Sequence, residues 1–290
     1  MKYIKQKNKI IVTDLKDFNI VQTLDCGQIF RYKIKDNIAI VNSLNKQAII
    51  ETQETQIVIN TKDVDYFENF FDLKTDYSEI KKVLSKDKFL CKAINYGYGI
   101  RILNNDVFEM IVSFIISANN NIPRIKKSIE YLCENFGENM GEYFAFPTLE
   151  QLKSAAVEDY NIAGLGYRAE QMFETIQNLT NQDLKNLKEM NSEEQLQFLL
   201  KLKGVGEKVA NCIMLFGLGV KDVFPVDTWI NKVYNDLTNS NETNRKKITK
   251  ELTNKYGVLS GYAQQYFFYY YRNNKVSKPA NISWQKSKKY

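Results

Sequence analysis

Histidine is absent from all 290 residues. That removes serine–histidine triads, histidine-ligated metals and imidazole general bases together. Cysteine is scarce: Cys26, Cys91, Cys133 and Cys212 lie far apart and never form a C-x-x-C pair. Neither a zinc site nor an iron–sulfur cluster is supported, and no metal or cofactor is expected. Four cysteines in a chain of this length do not suggest a disulfide framework, so a reducing compartment is expected. No long apolar run and no signal-peptide pattern occurs; Met1-Lys2-Tyr3-Ile4-Lys5 turns polar at once. The expected setting is intracellular and cytoplasmic, close to the nucleoid in a prokaryote, with no membrane partner. Arginine is scarce as well. Only Arg31, Arg101, Arg124, Arg168, Arg245 and Arg272 stand among the 40 basic residues. Lysine carries the bulk charge, so each arginine marks a place where a planar fork can matter.

Against these absences, 44% of the residues are apolar, enough for a sizeable core in one large or two small domains. The net charge of +6 is compatible with a polyanion partner, and equally with a lysine-rich composition alone. The chain changes character near residue 65. Before it, short branched and aromatic runs at 9–12, 28–34, 38–41, 48–51 and 56–60 predict an antiparallel sheet. After it, apolar residues recur at helical spacing, as in Val107, Met110, Ile111 and Phe114, or Met172, Ile176 and Leu179. Strands first and helices later predict an α+β fold: a β-rich domain with flanking helices over 1–105, then a mainly helical domain over 106–290. Its tail carries Lys275, Lys278, Lys286, Lys288 and Lys289 and no acid, and reads as a loose, solvated segment able to brush phosphates.

The most informative stretch is Leu202-Lys203-Gly204-Val205-Gly206-Glu207-Lys208-Val209-Ala210. A helix over 192–202 runs into Gly-Val-Gly, and a second helix follows. Two glycines around one apolar residue permit a tight hairpin and leave backbone N–H groups bare at the next helix start, where a phosphate can bind. Gly204, Gly206 and Val209 are the candidate phosphate contacts, although an ordinary helix corner fits the glycines equally. Lys208 falls in the first turn of the new helix. A cation there opposes the helix dipole, and the same field favours the neutral amine that nucleophilic attack requires; a solvated surface lysine is the other reading. Nineteen residues later, Pro225-Val226-Asp227-Thr228-Trp229 begins another helix. Asp227 is a good N-cap, and an N-cap carboxylate facing Lys208 can also stabilise positive charge on a sugar.

L-K-G-V-G-E-K-V-A-N-C followed by P-V-D-T-W resembles the helix-hairpin-helix, Gly-Pro-Asp superfamily of DNA glycosylases. In that superfamily a lysine at this place marks bifunctional members, which combine base excision with strand cleavage. Gly27-Gln28-Ile29-Phe30-Arg31 resembles the N-terminal signature of the 8-oxoguanine glycosylases. Residues 113–124 and Gly164-Leu165-Gly166-Tyr167-Arg168-Ala169 resemble their two DNA-facing segments. The likeness runs from about residue 20 to 272. The absence of a C-terminal four-cysteine array argues against the endonuclease III and adenine-glycosylase branches.

The resemblance implies a bifunctional glycosylase and AP lyase, monomeric, whose partner is double-stranded DNA containing an oxidised purine, with Lys208 as nucleophile and Asp227 as its partner. A base must leave the stack before its glycosidic bond can be attacked. Tyr167 is then the wedge that fills the hole, and Asn119, Arg124 and Arg168 are donors to the abandoned cytosine. Oxidation turns guanine N7 from acceptor to donor, so a fixed carbonyl discriminates the lesion; the resemblance assigns that carbonyl to Gly27. It places Cys212 and Phe268 on the two faces of the flipped base and Gln264 on its pairing edge. Taken by themselves, Gly27 is also a plain turn residue, Asn119 a polar loop or cap residue, Tyr167 a surface aromatic, Cys212 and Phe268 core residues, and Gln264 a surface residue of a helix over 262–272. Two positions depart from the family: Lys203 stands where proline is frequent, and Trp229 where eukaryotic members have histidine. The competing readings are a non-catalytic helix-hairpin-helix module, which need not keep Lys208, Asp227 and Gln264 together, and a monofunctional alkyl-base glycosylase, which would lack Lys208.

Overall fold

The computed structural model describes residues 1–274; the basic tail from Lys275 onward lies outside the described residues. The architecture is α+β, an antiparallel sheet followed by a mainly helical region. Strands β1 (Tyr3–Gln6), β2 (Lys9–Val12), β3 (Tyr32–Lys35), β4 (Ile38–Ser43), β5 (Lys46–Thr52) and β6 (Ile57–Asn60) form one sheet in the order β1-β2-β6-β5-β4-β3. The short helix α1 (Ile20–Leu24) interrupts them after β2.

Alternation sets the register. Ile10 pairs with Ile59, Ile59 with Ile50, Ile50 with Ala39, and Val12 with Ile57. All six are buried on one face, where Phe67 and Phe70 of α2 (Val64–Phe70) and the following Phe71 cover them. A one-residue slip would turn that row to solvent, which is why the pairing is unique.

The sequence-predicted strand over 28–34 starts only at Tyr32. Residues 28–31 stay irregular because two of their side chains spend their donors on remote backbone. Gln28 is fully buried; its amide donates to the Thr23 and Arg101 carbonyls at 2.8 and 2.7 Å and accepts from Leu103 N at 2.8 Å. Arg31 donates to the carbonyls of Leu44 and Phe144. β1 and α1 had no sequence signal, since one is a four-residue, mostly exposed strand without a buried alternation and the other is five residues long.

Helices α3 (Tyr77–Leu84) and α4 (Lys88–Tyr96) lead into α5 (Val107–Ser117) and α6 (Ile122–Phe136). A layer of shorter helices follows: α7 (Leu149–Lys153), α8 (Val157–Ile162), α9 (Arg168–Asn178), α10 (Asn181–Glu189) and α11 (Ser192–Lys201). The chain closes with α12 (Glu207–Gly217), α13 (Thr228–Thr238), α14 (Arg245–Tyr256) and α15 (Ser260–Asn274). Every residue of α5 from Val107 to Ile116 is buried, all but Glu109 and Ser113 apolar, so this helix is enclosed on every side and forms the axis of the second core. α12 lies against it, with Val209 to Phe216 all buried. Cys26 and Phe30, from the loop between α1 and β3, belong to this helical core and not to the sheet's. That excursion carries Gly27 to the helices. Among the described residues, no helix is long and apolar enough to cross a membrane.

Candidate active site

The hairpin forms between α11 and α12. Gly204 has φ +79°, and a Cβ there would meet the Gln171 Oε1 at 3.1 Å and the Ile115 Cγ2 at 3.3 Å, so both conformation and space call for glycine. Val205 is buried and anchors the turn. Gly206 is the N-cap of α12 and offers no side-chain bond to the helix start. The first backbone bond of α12 is from Ala210 N to the Gly206 carbonyl, which leaves the N–H groups of Glu207, Lys208 and Val209 uncommitted. Lys246 pairs with Glu207 at 2.9 Å and partly neutralises the acid beside them.

Lys208 is half-buried, with Nζ 5.3 Å from the centroid of the Phe114 ring. One turn further, burial pushes the Cys212 thiol up, and the positive charge of Lys208 pulls against it. Asp227 caps α13, accepting from Ile230 N at 2.9 Å. Burial raises its carboxyl above the ordinary carboxylate range. The Ile230 N–H, the charge of Lys208, the Trp229 N–H and the charge of Arg245 pull it back down. Asp227 is thus both a helix cap and a carboxylate in the field of Lys208.

These groups open into a cavity of about 950 Å³. Lys208, Asp227 and Cys212 line it from α12 and α13, Gln264 and Phe268 from α15, and Gly27 from the N-terminal loop. Gly204, Gly206 and Val209 border it at the hairpin, and Asn119 and Arg124 at the start of α6. Gln264 is buried, not a surface residue, and its Oε1 has no hydrogen-bond partner. A buried amide oxygen without a donor is costly, and a residue of the cavity wall that carries one has an acceptor to offer a ligand's N–H. Gly27 has φ +78°, and a Cβ there would come within 3.0 Å of the Phe268 ring. The loop and the ring are therefore in close contact where both line the cavity.

The two outer segments differ from each other. Asn119 is exposed at φ +48°, and Arg124 is exposed, with its backbone N–H bonded to Asn121, the N-cap of α6. Tyr167 is 63% exposed but does not line the cavity. Arg168 requires a correction, because it is not the free donor expected from its loop. It is buried, and its guanidinium donates to the carbonyls of Ala118 at 2.6 Å, Leu165 at 2.9 Å and Asn119 at 2.9 Å. It also lies 4.5 Å from the Tyr167 ring centroid. Arg168 ties the two segments into one surface and supports Tyr167 from beneath. Sequence reasoning did not single out Gln265, Asn105, Arg245 or Arg272. The rarity of arginine was a usable signal for Arg245 and Arg272, both of which line the cavity; nothing marked the other two.

A half-buried lysine after a glycine hairpin, a carboxylate capping the next helix and a cavity between them define the class. The model of the HhH-GPD superfamily of base excision DNA repair proteins matches residues 112–257. The model of the 8-oxoguanine DNA glycosylase N-terminal domain matches residues 10–111. A probable N-glycosylase/DNA lyase of Methanothermobacter thermautotrophicus is 31% identical over 230 residues, 71% of this chain and 73% of its own. The Arabidopsis thaliana N-glycosylase/DNA lyase OGG1 is 33% identical over 184 residues, and the match spans 50% of its length. The crystal structure of the Clostridium acetobutylicum 8-oxoguanine glycosylase/lyase, bound to double-stranded DNA with cytosine opposite 8-oxoguanine, superposes with a TM-score of 0.89. It is 38% identical, covering 95% of this chain and 99% of that one. The chain belongs to the 8-oxoguanine DNA glycosylase family of the HhH-GPD superfamily.

Proposed function

We propose that this chain is a monomeric, intracellular 8-oxoguanine DNA glycosylase and AP lyase that holds the flipped lesion in the cavity between α12, α13 and α15. The observation that carries the reading is the convergence, in one cavity, of Lys208, Asp227 and the buried, unpartnered Oε1 of Gln264. Residues 1–105 bring Gly27 to that cavity and residues 106–290 supply the chemistry.

The hairpin N–H groups of Gly204–Val209 and the dipole of α12 hold a backbone phosphate. The Gly27 carbonyl accepts from N7–H of the lesion, a bond that guanine cannot make. Gln264 pairs with the base edge, and Cys212 and Phe268 close on its two faces. Lys208 Nζ attacks C1′ as the C1′–N9 bond breaks and the base leaves with the bonding electrons. Asp227 stabilises the positive charge that develops on the sugar. Ring opening gives a protonated imine between Lys208 and C1′. Loss of a C2′ proton then expels the 3′ phosphate and cuts the strand, and hydrolysis of the imine restores the lysine. Tyr167 fills the gap in the stack, Asn119 and Arg124 meet the opposite cytosine, and Arg168 positions both segments.

Borohydride trapping on a duplex with 8-oxoguanine opposite cytosine tests this reading. The parent chain becomes covalently attached to DNA, whereas Lys208→Gln gives no adduct and no base release while still binding the duplex. Substantial base release by Lys208→Gln would overturn the assignment of the nucleophile.

A further inference from the structure

The loop that carries Gly27 is held in an unusual way. The carbonyls of its neighbours are each taken by a side chain remote in sequence. The Asp25 carbonyl accepts from Arg272 Nη2. The Cys26 carbonyl accepts from Gln265 Nε2 at 2.8 Å, in a fully buried bond. The Gln28 carbonyl accepts from Asn105 Nδ2 at 3.3 Å. Among the described residues the Gly27 carbonyl, between them, accepts no bond from the protein. The side chain of Gln28 pins the same loop to the Thr23 and Arg101 carbonyls.

A carbonyl discriminates between a donor and an acceptor only as well as its position is fixed. A loop free to shift by a fraction of an ångström relieves the repulsion from guanine N7 and loses the contrast. Gln265 is next to Gln264 on α15, so one helix carries both the amide that faces the base edge and the amide that fixes the discriminating loop. Gln265 is buried and sends its donor to Cys26, while Gln264 keeps an acceptor for the cavity.

On these contacts we infer that Gln265 is a specificity-determining positioning residue: by holding the Cys26 carbonyl it fixes the neighbouring Gly27 carbonyl at the place where it separates 8-oxoguanine from guanine. The inference rests on the role proposed above for Gly27.

The test is equilibrium binding, read in a Lys208→Gln background so that no chemistry intervenes. Dissociation constants are measured for duplexes containing 8-oxoguanine, guanine or a tetrahydrofuran abasic analogue opposite cytosine, with and without Gln265→Met. The methionine keeps the bulk and removes the donor. The expected result is about a ten-fold fall in the preference for 8-oxoguanine over guanine, the scale of one lost hydrogen bond. Affinity for the abasic analogue, which has no base to read, stays within about two-fold. An unchanged preference overturns the inference, and so does an equal loss on all three duplexes, which is what general structural damage produces. If Gln265→Met does not fold, Asn105→Leu releases the Gln28 carbonyl on the other side of Gly27 and is held to the same outcomes. A Lys208→Gln parent that does not distinguish 8-oxoguanine from guanine instead strikes down the reading of Gly27, and this inference with it.

Discussion

Asp227 has two duties, and two substitutions separate them. Its carboxylate caps α13 through the 2.9 Å bond from Ile230 N, and it sits in the field of Lys208 beside the cavity. Asparagine caps helices as well as aspartate does, whereas alanine loses about 1 kcal/mol at such a position. Both variants remove the charge, so their difference in stability isolates the cap. Asp227→Ala should melt roughly 2–4 °C below Asp227→Asn. The charge has its own signature in pH. Burial raises the folded-state pKa of Asp227 above its unfolded value, so the folded chain binds this proton more readily than the unfolded chain does. The resulting stability is present in acid and is lost as pH rises through the folded value; at neutral pH the buried carboxylate is a cost. Asp227→Asn is therefore expected to be at least as stable as the parent at neutral pH, with that advantage shrinking in acid. Catalysis runs the other way. Removing a preorganised charge from a developing cation costs on the order of 10²–10³-fold in rate. Thermal melts across pH and single-turnover excision, on the parent and both variants, measure all of this. Asp227→Asn excising within about ten-fold of the parent would refute the charge role. Equal melting temperatures for the two variants would refute the cap accounting.

Two further expectations concern the outer segments. Arg124 is exposed at the cavity border, and Arg124→Ala should reduce the preference for cytosine over adenine opposite the lesion by roughly ten-fold. Equal slowing with all four opposite bases would instead assign Arg124 to a phosphate. Arg168→Met strips the donors from three carbonyls and should cost about 2–3 kcal/mol of stability, slowing excision whatever the opposite base. A melting temperature indistinguishable from the parent's would refute the clamp.

Much of this molecule was legible in consecutive residues. The change from two-residue to helical periodicity near residue 65 coincides with α2, which starts at Val64. The Gly-Val-Gly turn, Lys208 in the first turn of its helix and Asp227 at the head of another are local patterns, because glycine geometry, caps and amphipathic faces are decided within a few residues. The strand expected over 28–34 failed for a reason that periodicity does not contain. Gln28 and Arg31 are claimed by carbonyls up to 113 residues away, and those bonds outweigh the local preference for an extended ladder.

The sequence by itself determined the change from strands to helices, the hairpin and the identity of the groups that chemistry can use. Only the tertiary structure decided how those groups are spent. Arg124 and Arg168 look alike in sequence, each an arginine beside a DNA-facing segment, yet one is exposed and the other is consumed by Ala118, Leu165 and Asn119. Gln264 and Gln265 are identical neighbours, yet one keeps a buried oxygen unpaired at the cavity and the other holds a carbonyl 239 residues away. A side chain's partner depends on which distant backbone the fold brings within 3 Å of it. That distance is a property of packing between elements, and no window of neighbouring residues encodes it.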